Sequence, residues 1–209
     1  MDDHFTKLLK EHHNKISEKQ VSQVNSFVDE ALIFNKKHNI FVRENKEEVF
    51  KKDVIDCLPL IKQIQKGGSV LDLGSGGGFP GILIGIFCPK TQNSLLEKNQ
   101  KKCYFLNKMI DLLGLKNTNV IKTTINEKNN LGTYDLITAR AFSSAENILN
   151  LTQKNLSANG KYLLLKGRKE KIVEELNSIN TNKYKCEIIE IGSLGVERHF
   201  LQIKPNKTK

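Results

Sequence analysis

The chain has 209 residues, 38% of them hydrophobic and 27% charged. That length buries a full core without disulfide or metal staples, and the composition excludes disordered, collagen-like and membrane-spanning classes. The 33 Lys and Arg against 23 Asp and Glu leave a net charge of +10. Such an excess points to a polyanionic partner, nucleic acid above all, or else to the solvated lysines of a lysine-rich proteome.

The first ten residues, MDDHFTKLLK, are charged and lack the apolar core of a signal peptide. Cys57, Cys88, Cys103 and Cys186 form no C-x-x-C pair and match no zinc spacing, and the histidines form no H-E-x-x-H. A reducing cytoplasm and no metal site are expected. No coiled coil or large apolar stripe points to an oligomer, so a monomer is expected.

Residues 1–20 are polar and read as a frayed helix or tail. Val21, Val24, Phe27, Val28, Ala31 and Leu32 recur at helical spacing, and His38-Asn39-Ile40 closes that helix. Val54, Leu58, Ile61 and Ile64 predict another helix, with Pro59 starting or kinking it. Residues 1–65 thus form a helical segment. Gly67-Gly68 breaks this pattern, and from residue 66 onward strands and helices alternate as one compact unit. The strands expected are Ser69–Leu73, Ser94–Leu96, Asn119–Ile121, Tyr134–Thr138 and Tyr162–Leu165, with a helix carrying Phe105, Leu106, Met109 and Leu113. Cys186–Ile191 and His199–Ile203 flank Gly192 and Gly195 and read as a terminal hairpin. The fold class is α/β, a mostly parallel sheet with helices on both faces and one antiparallel strand.

The strongest local signal is Val70-Leu-Asp-Leu-Gly-Ser-Gly-Gly-Gly-Phe-Pro-Gly81, a buried strand running into glycines and then an apolar helix, Ile82–Phe87. Glycines there let the backbone turn sharply and approach a ligand, Pro80 suits a first helical turn, and the helix N-terminus receives an anion. Gly76 to Gly81 satisfy the dinucleotide pattern G-x-G-x-x-G. Counted from the first loop glycine, Gly74, the sixth position is Phe79, which breaks that pattern. Asp72, Gly74, Gly76 and Gly78 fill every position of Asp-x-Gly-x-Gly-x-Gly, the signature of S-adenosylmethionine (SAM) methyltransferases. Glu97 ends the next strand, where a carboxylate either accepts both ribose hydroxyls of a nucleoside or caps the following helix.

Exocyclic-amine methylation calls for a Pro-Pro loop after the fourth strand, and pyrimidine C5 methylation for a Pro-Cys loop. The chain has neither; the segment there is Thr138-Ala-Arg-Ala141. A nucleophile that needs no activation, such as guanine N7, is consistent with this. Arginine is scarce among the basic residues: Arg43, Arg140, Arg168 and Arg198. Its planar fork suits multi-donor contact. Arg140, expected just after the fourth strand, stands where ligands of such sheets bind; Arg43 and Arg168 read equally well as surface residues.

Together these residues resemble the RsmG family (glucose-inhibited division protein B), bacterial 16S rRNA guanine-N7 methyltransferases. The resemblance rests on Asp72–Gly81, Leu96-Glu97 with Lys101, Phe105-Leu106, Asp135 with Thr138–Ala141, Leu165–Gly167 and Glu197–His199. Two positions depart from the family pattern: Lys52-Asp53 stands where Arg-His is common, and Thr123–Glu127 lacks the usual arginine. The resemblance implies a class I methyltransferase sheet of seven strands with the last antiparallel. It also implies SAM as cofactor, 16S rRNA or the small ribosomal subunit as partner, and guanine 527 as target. The cofactor set is then Asp72, Gly74, Ser75, Gly76, Gly78, Phe79 and Glu97, with Asn126 and Glu127 beside the adenine. Arg140 lies between cofactor and substrate as the catalytic candidate, with Lys166 and Arg198 on the RNA side. Two rivals remain: an NAD(P)-dependent oxidoreductase, and a catalytically silent RNA-binding assembly factor.

Overall fold

Residues 3–13, 15–191 and 197–206 are described in a computed structural model. The N-terminal stretch is helical, as expected, but it is more than a tail. In α1 (Asp3–His12), Phe5 and Leu9 lie one turn apart and both are buried. The Phe5 ring stacks on Phe50 at 4.3 Å between centroids. α2 (Glu18–His38) opens with a reciprocal capping box between Ser17 and Gln20. It closes at Asn39, which adopts the left-handed region at φ 49°. Its buried residues, Val21, Val24, Phe27, Val28 and Ala31, are those the helical period selects.

α3 (Lys46–Val49), a π turn over Phe50–Val54 and α4 (Ile55–Ile61) follow without a break. The Ile55 N–H donates to the Phe50 carbonyl, five residues back. Pro59 lies inside α4 rather than starting it. The run 53–58 is buried on every side, Asp53 and Asp56 included. Amphipathic spacing predicted only one buried face, because it takes no account of a helix wedged between two layers.

The sheet comprises β1 (Ser69–Leu73), β2 (Gln92–Glu97), β3 (Thr118–Lys122), β4 (Tyr134–Arg140), β5 (Leu156–Lys166), β6 (Tyr184–Glu190) and β7 (His199–Pro205). Their order is β3-β2-β1-β4-β5-β7-β6. The first five are parallel, and β7 runs antiparallel between β5 and β6. This is the seven-stranded arrangement expected. The turn residues of the predicted hairpin, Gly192 and Gly195, lie outside the described residues. α5 (Gly81–Phe87) and α6 (Gln100–Leu113) cover one face. They share a buried cluster with residues of α1, α2 and α4. α7 (Ala145–Thr152) and α8 (Lys169–Leu176) cover the other face in a second cluster. No described helix is long and apolar enough to cross a membrane.

The chain leaves β1 toward β2 on one side and returns at β4 on the other. The crevice between β1 and β4, at their carboxyl ends, is the switch point where open α/β sheets bind ligands. β4 also runs longer than the apolar pattern predicted, so Arg140 is its last residue rather than a loop residue beyond it.

Candidate functional site

The glycine loop is folded onto the end of β2. Gly74 N–H and Ser75 N–H both donate to the Leu96 carbonyl, at 2.8 and 3.1 Å. Gly74, Gly76 and Gly78 have φ of 68°, 55° and 93°. This backbone is strained for any other L-residue. The space around them differs. A Cβ on Gly74 would meet the Phe142 ring at 2.5 Å, whereas a Cβ on Gly76 would meet nothing nearer than the Gly74 carbonyl at 3.6 Å. The loop is thus open at Gly76, the centre of the pattern. The Phe79–Pro80 bond is cis, and Pro80 stands at the cap of α5, with Gly81 as the first helical residue.

Glu97 is buried and gives both oxygens to backbone donors. Oε2 accepts the Gly76 N–H at 3.0 Å, and Oε1 accepts those of Lys98 and Asn99 at 2.9 and 2.8 Å. The capping reading of Glu97 holds in part, since it satisfies the backbone leading into α6, and it also braces the glycine loop. Three accepted bonds leave one lone-pair position of a carboxylate. The segment after β3 starts beside it, with Thr123 N–H donating to the Glu97 carbonyl at 3.2 Å. Asn126 and Glu127 are exposed in a turn closed by Asn129.

Asp72 is the anomaly of the loop. It is fully buried, and neither carboxylate oxygen has a hydrogen-bond partner. The Ser75 hydroxyl donates to the Asp72 main-chain carbonyl instead. Burial pushes the Asp72 carboxyl up to about 6; the Ser75 hydroxyl and Gly81 N–H lie near it without hydrogen-bond geometry and, with the Arg140 charge, favour the ionised form too weakly to prevent it. An unpartnered buried carboxylate behind an open glycine loop fits a group that brings its own hydrogen-bond donors, such as an amino acid ammonium.

The raised value has a consequence for stability. The folded state holds the Asp72 proton more tightly than the unfolded state, so this stabilisation is full below about pH 4 and is lost as pH rises through about 6. At pH 7 the ionised Asp72 costs about 3 kcal/mol, from roughly two pKa units at 1.36 kcal/mol each. Asp72→Asn should therefore melt higher than the parent at pH 7, by about 6–12 °C. In melting curves taken from pH 4.5 to 7.5, that advantage should shrink as pH falls through 6; a constant gap would rule the assignment out.

Beyond β4 the loop opens into a cleft of about 1010 Å³. Seven cations line it: Arg43, Lys52, Arg140, Lys166, Arg168, Lys171 and Arg198. The carboxylates among its lining residues are Asp56 and Glu175. Arg140, Lys166 and Arg198 are thus brought to one place, as expected. Arg43 and Arg168, which read equally well as surface residues, line the same cleft.

The cations are held by acids whose arginine and lysine partners the sequence did not show. Asp53 accepts from Arg140 Nη2 at 2.6 Å, from Arg43 Nε at 2.9 Å and from Arg43 Nη2 at 3.2 Å. Arg140 Nη1 also donates to the Lys52 carbonyl at 3.3 Å, and its guanidinium lies 5.8 Å from the centroid of the Phe79 ring. Asp56 accepts from Arg198 Nε at 2.6 Å, and Glu175 from Lys166 Nζ at 2.7 Å. Asp53, at one of the two departures from the family pattern, is therefore the residue that fixes Arg140.

The sequence profile described as rRNA small subunit methyltransferase G matches residues 20–201. The chain belongs to this family. It is 34% identical over 191 residues to Ribosomal RNA small subunit methyltransferase G of Brachyspira hyodysenteriae, covering 90% of this chain and 93% of that one. It is 32% identical over 206 residues to the protein of the same name from Francisella tularensis, covering 98% and 97%. Among solved structures, the fold matches a SAM-dependent methyltransferase from Aquifex aeolicus with TM-score 0.60, at 16% identity, over 76% of this chain and 93% of that one. It also matches a putative O-methyltransferase from Klebsiella pneumoniae with TM-score 0.62, at 11% identity, over 96% of both chains. Family G membership decides between the two uses of the glycine loop: it serves a methyltransferase, not a nicotinamide enzyme.

Proposed function

We propose that the protein transfers a methyl group from SAM to N7 of a guanine in 16S rRNA, with guanine 527 the position that the family resemblance implies. SAM is the family's methyl donor, and when bound it supplies an electrophilic methyl on sulfur. Gly74, Gly76 and Gly78 would hold its amino acid part, with Asp72 behind them and Ser75 and Phe79 completing the turn. Glu97 would receive the ribose, and Asn126 and Glu127 would flank the adenine.

The choice of N7 rests on the lining of the cleft. Among the described residues lining it, the two carboxylates, Asp56 and Glu175, are both committed to ion pairs, and there is no histidine, cysteine or tyrosine. The buried Cys57 thiol is pushed up to about 12 by its burial, which makes it no nucleophile at neutral pH. A site without a general base suits an acceptor that has no proton to lose. Guanine N7 has a free lone pair, so the protein's task is orientation and proximity.

The product identifies itself chemically. N7-methylguanine is cationic and its ring is weakened, so borohydride followed by aniline cuts the RNA there. The protein, given SAM and either unmethylated 30S subunits or naked 16S rRNA, should create one such cut. Methyl incorporation without a cut would move the acceptor away from N7; no incorporation on either substrate would favour the silent assembly factor.

The cations also make a prediction about salt. Five of the seven are paired, four with the acids named above and Lys52 with Glu48 at 2.7 Å, so about two face the RNA with charge to spare. Neutralising about two phosphates gives a slope of about −1.5 in log affinity against log salt, or about 8-fold between 50 and 200 mM. SAM affinity should change little. RNA binding measured by filter retention that stays flat over this range would mean that the basic excess reflects proteome composition.

A further inference from the structure

Among the described residues lining the cleft, Phe142 is the only aromatic one. It is half-buried, and its Cδ2–Cε2 edge packs over Gly74, where a glycine Cβ would meet the ring at 2.5 Å. It follows Ala141, a non-glycine residue at φ 52°. Such a conformation costs about 1–3 kcal/mol and persists only where the surroundings impose it. The strain turns the chain directly after β4, so that one side chain touches both the cofactor loop and the cleft.

We infer that Phe142 is the platform on which the acceptor guanine stacks. This rests on the N7 reading above and adds the residue that presents the base. In an RNA helix, N7 lies in a deep, narrow groove that side chains cannot enter, so the guanine must be unstacked to react. An unstacked base needs a new face, and Arg140, the cation at the end of β4, is already tied to Asp53 and the Lys52 carbonyl. Phe142 offers one, in contact with the loop that holds the donor. The ring's π face also attracts cations, so it holds the methylated, positively charged base more tightly than guanine.

The chain contains no tryptophan, so Phe142→Trp places a single indole at this point. Its fluorescence should be quenched in a saturable way by 7-methylguanosine 5′-monophosphate, and at higher concentrations by guanosine 5′-monophosphate. Phe142→Leu keeps an apolar side chain over Gly74 but removes the ring. It should bind SAM by calorimetry as the parent does and lose about 5- to 100-fold in kcat/KM for RNA, the range associated with one base–aromatic stack. Phe142→Tyr should recover most of that loss. An indole that neither nucleotide quenches, or parental kcat/KM in Phe142→Leu, would overturn the inference. These outcomes are distinct from failure of the N7 reading, which shows as the absence of the borohydride–aniline cut with the parent protein.

Discussion

Arg140→Ala is expected to lower methyl transfer about 100-fold or more while SAM binding persists, because its loss removes the group that orients the acceptor. The guanidinium sits at the end of β4 with Nη2 on Asp53 and Nη1 on the Lys52 carbonyl. It therefore arrives at the cleft already fixed. An arginine fork most readily grips guanine at O6 and N7 together, but here N7 must stay free. Arg140 must then hold O6 alone, a phosphate, or the face of the base. Arg140→Lys should recover little, since a point charge cannot hold Asp53, the Lys52 carbonyl and the substrate in one plane. The alanine variant also leaves buried Asp53 to Arg43 alone, a stability loss of about 1–3 kcal/mol. Melting curves on the same sample separate that loss from the catalytic one. Full transfer by a folded Arg140→Ala protein would take Arg140 out of the site.

The second large effect belongs to Gly76. At φ 55°, with open space where its side chain would be, this residue both bends the loop and leaves room for the ligand. Gly76→Val adds a β-branched side chain to a conformation it resists and fills that space. The Gly76 N–H bond to Glu97 would be displaced as well. SAM binding by calorimetry should be abolished, with RNA binding retained because the cationic cleft lies on the other side of β4. Near-parental SAM affinity in a folded Gly76→Val protein would remove the loop from the cofactor site.

What the sequence made legible was local. The glycine loop, the apolar strands and the face of α2 follow from residue spacing and from the few residue types that tolerate positive φ. What it hid was set by partners far along the chain. Asp53 meets Arg140 across 87 positions, and Asp56 meets Arg198 across 142. No periodicity announces such pairs, and Lys52-Asp53 read only as a departure from a family pattern. α1 was hidden for a related reason. Phe5 and Leu9 are two buried residues among mostly polar ones, and it is the Phe50 ring and the buried cluster beyond it that account for them. Phe142 carried no signal, since one phenylalanine after a strand is ordinary until its place against Gly74 is known.

The π turn at Phe50–Val54 has a wider meaning for how the cleft is assembled. Measured against an ordinary helix, it is a spacer one residue long. Its first residue, Phe50, is fastened to α1 by ring contact; Asp53 within it and Asp56 just beyond it are fastened to arginines at the end of β4 and just ahead of β7. Greasy and ionic attachments come at different angles around a helix axis, and an uninterrupted α-helix has one fixed angle per residue. The extra residue lets one short rod satisfy both. The N-terminal helices thereby act as a brace across the mouth of the sheet, joining the packing of the molecule's beginning to the aim of the arginines at its working edge.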